Sequence, residues 1–100
     1  MSHKAWFLYI IECTDGSLYT GIAVDVEARY AAHCKGSGAR YTRSHPPRRL
    51  LGWEPYPDRS AASRAEYRIK QLSPADKRRY AEAMPANREK HPGSGADNST

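Results

Sequence analysis

The hydrophobic positions near the start of the chain form one unbroken run. Every residue from position 6 to position 11 is apolar or aromatic, so a strand here would be apolar at both odd and even positions. The residue types in this run are those enriched in β-strands. A strand that is apolar on both faces has to be covered on both faces. The pattern therefore predicts the middle strand of a small sheet.

A second strand is predicted directly after a turn signal. Asp15-Gly16 is a turn dipeptide, and residues 18–22 after it have the composition of a short returning strand. Two strands joined by so few residues pair as an antiparallel hairpin. The chain is thus expected to begin with a β-hairpin.

The length of the hairpin loop decides whether two tyrosines share a face. A two-residue turn places Tyr9 and Tyr19 on opposite faces of the sheet. A three-residue loop, with Gly16 in the left-handed region, instead sets Tyr9 opposite Gly21 and Tyr19 opposite Ile11, on one face. In that register Gly21 leaves open space in front of the Tyr9 ring. The polar and apolar pattern alone is compatible with both registers.

Caps and periodicity predict the remaining elements. Asp25 begins a helix that extends to about Lys35, and a basic, glycine-containing loop follows as far as residue 49. A third strand is expected around residues 50–53 and a second helix over about 60–72. Ser73-Pro74 caps a third helix that ends near residue 84. The order ββαβαα predicts an α/β (α+β) fold, with a small, three-stranded, mainly antiparallel sheet flanked by helices.

Length and composition predict one domain. A chain of 100 residues is too short for a second core. Residues 85–100 are rich in Pro, Gly, Ser, Asn and charged types, which cannot offset their ordering entropy by burial. We therefore expect a domain over residues 1–84 and a disordered C-terminal tail over residues 85–100.

Charge and cysteine content narrow the class of protein. Sixteen Lys and Arg against eleven Asp and Glu give a net charge of +5, which favours a polyanionic partner such as nucleic acid. Cys13 and Cys34 lack the paired spacing of a zinc site, and the sequence does not require a disulfide between them. No apolar run approaches membrane-spanning length. We expect a cytoplasmic protein with no membrane partner.

Two predicted helices carry polar groups at the border of their apolar stripes. Arg29 and His33 are four residues apart, where they either face a cleft or stay solvated. Glu66 lies at the margin of the next helix, where a lone carboxylate suits a hard divalent cation. Alternatively, Glu66 forms an exposed i,i+4 pair with Lys70. Spacing alone favours the solvated alternative for both helices.

The ordered set of these residues resembles the GIY-YIG nuclease superfamily. The resemblance covers roughly residues 5–83 and is strongest to the small, stand-alone, YhbQ-like bacterial members. Its motifs are Leu8-Tyr9-Ile10, Tyr19-Thr20-Gly21, the spacing Asp25, Arg29, His33, and Glu66 in the second predicted helix. Leu8 replaces the first motif's glycine and Thr20 the second motif's isoleucine, and neither position is expected to contact the reacting atoms.

The resemblance implies a GIY-YIG fold and a metal-dependent endonuclease that hydrolyses phosphodiester bonds. The implied substrate is structured or single-stranded DNA in repair or processing, with RNA as an open alternative. It implies catalytic roles for Tyr9, Tyr19, Arg29 and His33. Glu66 would bind one Mg²⁺ or Mn²⁺, with no small-molecule cofactor. It also favours the three-residue hairpin loop, because the family's two tyrosines share one site.

The basic loop and its continuation supply the expected nucleic-acid contacts. The cations suit phosphates, and the one aromatic ring suits stacking on a base. The residues are Lys35, Arg40, Tyr41, Arg43, Arg48 and Arg49. A second hypothesis keeps this surface in a nucleic-acid-binding module with little or no catalysis. A third has the chain dock onto a larger repair protein. The late asparagine of some family members has no secure match, since Asn87 falls in the expected tail.

Overall fold

A computed structural model describes residues 4–87 of the chain, the last two by their backbone alone. The sheet has the strand order β2-β1-β3-β4, and every pairing in it is antiparallel. The elements are β1 (Trp6–Cys13), β2 (Leu18–Ala23), α1 (Val26–Cys34), α2 (Arg40–Ser44), β3 (Pro47–Tyr56), α3 (Arg59–Lys70), α4 (Pro74–Glu82) and β4 (Ala86–Asn87). The α+β class and the antiparallel core β2-β1-β3 are confirmed.

The hairpin adopts the three-residue loop. Tyr9 pairs with Gly21 and Ile11 with Tyr19, while the Cys13 amide donates to the Ser17 carbonyl at 2.8 Å. Gly16 has a φ of 87°, in the left-handed region where a side chain is strained. This conformation lets the loop insert one residue more than a tight turn. As a result, both tyrosines lie on one face of the sheet.

β1 separates two hydrophobic clusters, as its unbroken apolar run predicts. On one face Leu8 and Ile10 pack with buried residues of α3 and α4. On the other face Tyr9 and Ile11 pack against the start of α1 at Val26. Both clusters draw on β3 as well. The middle position of β1 in the sheet is therefore explained by burial on both sides.

The basic segment after α1 is not one continuous loop, which corrects the prediction. It contains the five-residue helix α2, and β3 begins at Pro47 rather than at Leu50. β3 is longer because register shifts opposite β1 let Pro47 pair with Cys13 and Arg49 with Glu12. These pairings are between residues distant in sequence, so local pattern does not reveal them.

The sheet continues past the expected domain boundary at residue 84. Ala86 pairs with Trp53 and Asn87 with Gly52, which makes the backbone of these two residues a short edge strand. The rest of the expected tail, residues 88–100, lies outside the described residues. Within the part described, no helix is long and apolar enough to cross a membrane.

A buried carboxylate ties α4 to the sheet. Glu12 accepts a hydrogen bond from Arg49 Nε at 2.8 Å and pairs with a guanidinium nitrogen of Arg78 at 3.0 Å. Burial acts to raise the pKa of Glu12, but the two guanidinium hydrogen bonds outweigh it and hold the pKa below its ordinary value. A second carboxylate, Glu54, accepts from the hydroxyls of Tyr56 and Tyr80.

Candidate active site

Three aromatic rings meet on the sheet face that α1 covers. Tyr9 comes from β1, Tyr19 from the neighbouring strand β2, and His33 from the last turn of α1. The ring centroids are 6.4 Å apart for the two tyrosines, 5.9 Å for Tyr9 and His33, and 5.0 Å for Tyr19 and His33. Tyr9 is 2% exposed and His33 1%, whereas Tyr19 is partly exposed. The site therefore has a buried floor and one wall open to solvent.

His33 is held by a hydrogen bond at each ring nitrogen. Its Nε2 lies 2.9 Å from the Tyr9 hydroxyl, and its Nδ1 lies 2.7 Å from Oγ1 of Thr42 on α2. The Thr42 hydroxyl in turn donates to the carbonyl oxygen of Ala39 at 3.2 Å. This chain of contacts fixes the ring plane and links the buried tyrosine to α2.

Two glycines allow the backbone to approach these rings. A Cβ on Gly21 would lie 2.5 Å from the Tyr9 hydroxyl oxygen, and a Cβ on Gly38 would overlap Nδ1 of His33. Both distances are too short for a side chain. Gly21 thus creates the space that the three-residue register predicted. Gly38 lets the segment between α1 and α2 close over the histidine.

The charges of Arg29 and Glu66 also reach this site. Burial raises the pKa of the Tyr9 hydroxyl above its ordinary value, and the charges of Tyr19 and Glu66 raise it further, while Arg29 acts to lower it. Burial, followed by the charge of Arg29, lowers the pKa of His33 below its ordinary value. The structure therefore brings Tyr9, Tyr19 and His33 together, and the charges of Arg29 on α1 and Glu66 on α3 act on the Tyr9 phenol. Both pKa shifts favour the uncharged forms, a phenol at Tyr9 and an imidazole at His33.

Glu66 takes part in the ion pair that spacing offered as the alternative. Its carboxylate lies 3.2 Å from the ammonium of Lys70, with 22% of the Glu66 side chain exposed. The Lys70 ammonium also lies 6.0 Å from the centre of the Tyr19 ring. The ion pair with Lys70 is therefore present, and the charge of Glu66 also acts on the Tyr9 phenol.

A single carboxylate limits the kind of metal that the site suits. Across residues 4–87, no three His, Cys, Asp or Glu side chains cluster in a way that could hold an ion. Zinc sites require three or four such ligands, so this donor set does not fit zinc. Mg²⁺ keeps most of its waters and is commonly held by one carboxylate together with substrate phosphates. Glu66 fits that kind of site, provided Lys70 moves aside.

An aromatic stack borders the open side of the site. Tyr41 lies parallel to His45 with 4.0 Å between ring centroids, and its other neighbour is Tyr19 at 5.9 Å. Tyr41 keeps 37% of its surface exposed. A cleft of about 450 Å³ beside this stack is also lined by Lys70 and Lys77. Exposed aromatic faces and ammonium groups are the chemistry that bases and phosphates bind.

The predicted nucleic-acid residues divide into three locations. Lys35 is exposed at the end of α1, and Arg40 and Arg43 are exposed on α2, the helix that also carries Tyr41. Arg48 is exposed on β3. Arg49 of β3 is exposed in part and donates to the buried Glu12 of β1, the carboxylate that also pairs with Arg78 of α4.

Three residues of the site are absent from the sequence prediction. Thr42 is buried against His33, Gly38 packs on the same ring, and Lys77 of α4 lines the cleft beside Tyr19. Thr42 and Gly38 lie only nine and five residues from His33, but the irregular segment between them has no periodicity to place them. Lys77 comes from a helix distant in sequence. No local signal identifies any of the three.

Comparison with known proteins gives a consistent result. A family model of the GIY-YIG catalytic domain matches residues 5–81. The UPF0213 protein XAC3202 of Xanthomonas axonopodis pv. citri is 50% identical over 82 residues, covering 82% of this chain and 80% of the relative. A UPF0213 protein of Halobacterium salinarum is 51% identical over 70 residues, covering 70% and 91%. The solution NMR structure of the UPF0213 protein BH0048 from Bacillus halodurans shares 42% identity, covers 76% of this chain and 81% of that one, and has a TM-score of 0.48.

Proposed function

The chain belongs to the GIY-YIG catalytic-domain family, and on that premise we propose that it is a metal-dependent DNA endonuclease. The reaction is hydrolysis of a phosphodiester bond in structured or single-stranded DNA, during repair or processing in the cytoplasm. The observation that carries this proposal is the buried Tyr9–His33 hydrogen bond, with the charges of Arg29 and Glu66 acting on the same phenol.

The raised pKa of Tyr9 shapes the proposed proton transfer. A buried phenol does not lose its proton to bulk water at neutral pH. His33 Nε2 accepts that proton as the Tyr9 oxygen takes one from the attacking water. The water oxygen then bonds to phosphorus as the bond to the leaving oxygen breaks, and that oxygen takes a proton from solvent. A relay of this kind avoids a free, buried phenolate, and His33 is available because its pKa is lowered.

The remaining site residues act on the phosphate. Arg29 is exposed, and its planar guanidinium donates to non-bridging oxygens as they gain charge. Glu66 would hold one Mg²⁺ or Mn²⁺, which would supply positive charge to stabilise the phosphate and the leaving oxygen. Tyr19 lies between the buried floor and the solvent, where its hydroxyl orients the attacking water.

The exposed surface around Tyr41 is the proposed substrate contact. Lys35, Arg40, Arg43 and Arg48 contribute positive charge to phosphates, and Tyr41 stacks on a base. Nothing in this surface resembles a set of base-reading side chains. The proposed binding is therefore dominated by backbone contacts and should weaken steeply with salt.

Cleavage of a substrate panel tests the proposal. Protein with Mg²⁺ or Mn²⁺ should nick single-stranded, flapped or branched oligonucleotides, and chelation with EDTA should stop the reaction. Glu66→Ala should abolish cleavage, whereas the matched variant Glu27→Ala, on the exposed side of α1, should not. Equal activity in wild type and Glu66→Ala would identify a contaminating nuclease and overturn the proposal. Salt-dependent DNA binding without cleavage would support the non-catalytic binding module instead.

A further inference from the structure

We propose that Thr42 is a positioning residue that fixes the proton of His33 on Nδ1 and so makes Nε2 the proton acceptor for Tyr9. This inference deepens the proposed function and rests on it for its catalytic meaning. Its structural content, the position of one proton on a ring, is independent of any activity.

The Tyr9 end of the network requires Nε2 to be unprotonated. Among the residues that the structure describes, the Tyr9 hydroxyl has one hydrogen-bond partner, Nε2 of His33 at 2.9 Å. Tyr9 is almost fully buried, so a phenolic O–H without an acceptor would carry a desolvation cost. If Nε2 held the proton, the Tyr9 O–H would have no acceptor within the described residues. The phenol therefore donates and Nε2 accepts.

The Thr42 end leads to the same tautomer. A neutral imidazole carries one proton, so an accepting Nε2 leaves that proton on Nδ1. Nδ1 then donates to Thr42 Oγ1 over 2.7 Å. The single hydroxyl proton of Thr42 remains free to reach the Ala39 carbonyl oxygen, which lies 3.2 Å away and can only accept. Each donor in this series of hydrogen bonds, from Tyr9 through His33 and Thr42 to Ala39, then has an acceptor.

The groups around His33 favour this neutral arrangement. Tyr9 faces the ring from β1, Tyr19 from β2, and Arg29 acts on it from α1. Among the described residues, the groups that contact the ring include no carboxylate, so the imidazolium would have no anionic partner in this part of the chain. Thr42 of α2 contributes a hydroxyl, which accepts a hydrogen bond from the ring without adding charge. A neutral ring with a defined tautomer is the state that a proton acceptor needs.

The fold gives Thr42 this position through close packing that leaves no room for a side chain at Gly38. Gly38 lies against the His33 ring where a Cβ would overlap Nδ1, which allows α2 to begin within hydrogen-bond distance of the histidine. Thr42 is 2% exposed, and the next residue toward the N-terminus, Tyr41, faces the open cleft. One short helix thus carries a buried histidine partner beside a surface ring proposed to bind substrate.

Nitrogen-15 NMR of the histidine rings tests the proton position in metal-free protein without substrate. Signals of His33 are assigned by their loss in His33→Gln. Wild type and Thr42→Ser should show His33 as the Nδ1–H tautomer, and Thr42→Val should shift it toward Nε2–H. Thr20→Val is the matched control, because Thr20 is equally buried and its hydroxyl is unpartnered among the described residues. It should leave the His33 spectrum unchanged.

Single-turnover cleavage tests the consequence for the reaction. Thr42→Val should slow cleavage about tenfold or more, because a wrong tautomer removes the proton acceptor. The cleavage rate of Thr42→Ser should stay within about threefold of the wild-type rate, and that of Thr20→Val should equal the wild-type rate. An Nε2–H tautomer in wild type, or an unchanged tautomer in folded Thr42→Val, overturns the inference. If no variant cleaves DNA while the tautomers follow the prediction, the proposed function fails and the assignment of the proton stands.

Discussion

Replacing Gly21 by alanine should disable the site while leaving the fold largely intact. The added methyl would lie 2.5 Å from the Tyr9 hydroxyl oxygen and 2.6 Å from its Cζ atom. An ordinary van der Waals contact begins at 3.4 Å, so the phenol has to retreat by about 0.9 Å. Overpacking of this kind costs about 1–3 kcal/mol of stability. A misplacement near 1 Å at a reacting group costs on the order of 10² in rate.

The matched control for this substitution is Gly16→Ala. Gly16 has a positive φ and no neighbouring atom within 4 Å of an added Cβ, so alanine strains the loop without touching the site. The strain costs about 1–2 kcal/mol, comparable with the Gly21 variant. Urea unfolding measures both stabilities, and single-turnover cleavage measures both rates. Gly21→Ala should lose on the order of 10² in rate and Gly16→Ala should lose little. Equal rates in the two variants would refute the proposal that Tyr9 placement limits catalysis.

Three further predictions concern the ion pairs and the aromatic rim. Glu12 has a lowered pKa in the folded state, so its contribution to stability should be complete above about pH 4.5 and lost as pH falls through the lowered pKa. Glu12→Gln should flatten this pH dependence of the unfolding free energy, measured in urea from pH 3 to pH 7. An unchanged slope would exclude Glu12 as its source. Lys70→Gln should lower the Mg²⁺ concentration for half-maximal cleavage about two- to fivefold, since the ammonium no longer competes for Glu66. A higher Mg²⁺ concentration for half-maximal cleavage would contradict that competition. Tyr41→Ala should weaken binding of single-stranded DNA about tenfold in fluorescence anisotropy, whereas Tyr67→Ala, at another exposed tyrosine, should change it little. Equal affinities of the two variants would show that Tyr41 does not stack on a base.

The sheet core was predictable because its signals are local. The apolar run of β1 is buried on both faces, and the predicted caps Asp25 and Ser73 accept hydrogen bonds from the first-turn amides of their helices. The hairpin register was open from pattern alone. It became predictable only once the resemblance required both tyrosines in one site. The positive φ of Gly16 is the physical basis of that register.

The missing parts of the site depend on contacts between distant residues. α2 has five residues and a polar composition, so no helical periodicity marks it. The buried hydrogen bond between His33 of α1 and Thr42 of α2 exists only once the two helices have packed together. Arg49 illustrates the same limit, because its partner Glu12 lies 37 residues earlier and no local pattern predicts that ion pair. Charge alone cannot distinguish a cation that binds substrate from one that closes the fold.

Tyr9→Phe tests the central claim most directly. The substitution removes one oxygen atom, keeps the ring that packs against Gly21, and leaves the surface charge unchanged. The measurement is the single-turnover cleavage rate at saturating Mg²⁺, with thermal unfolding to show that the variant is folded. The account predicts a rate reduced on the order of 10² or more, because proton transfer from water loses its acceptor. A folded Tyr9→Phe variant that cleaves at the wild-type rate would contradict it.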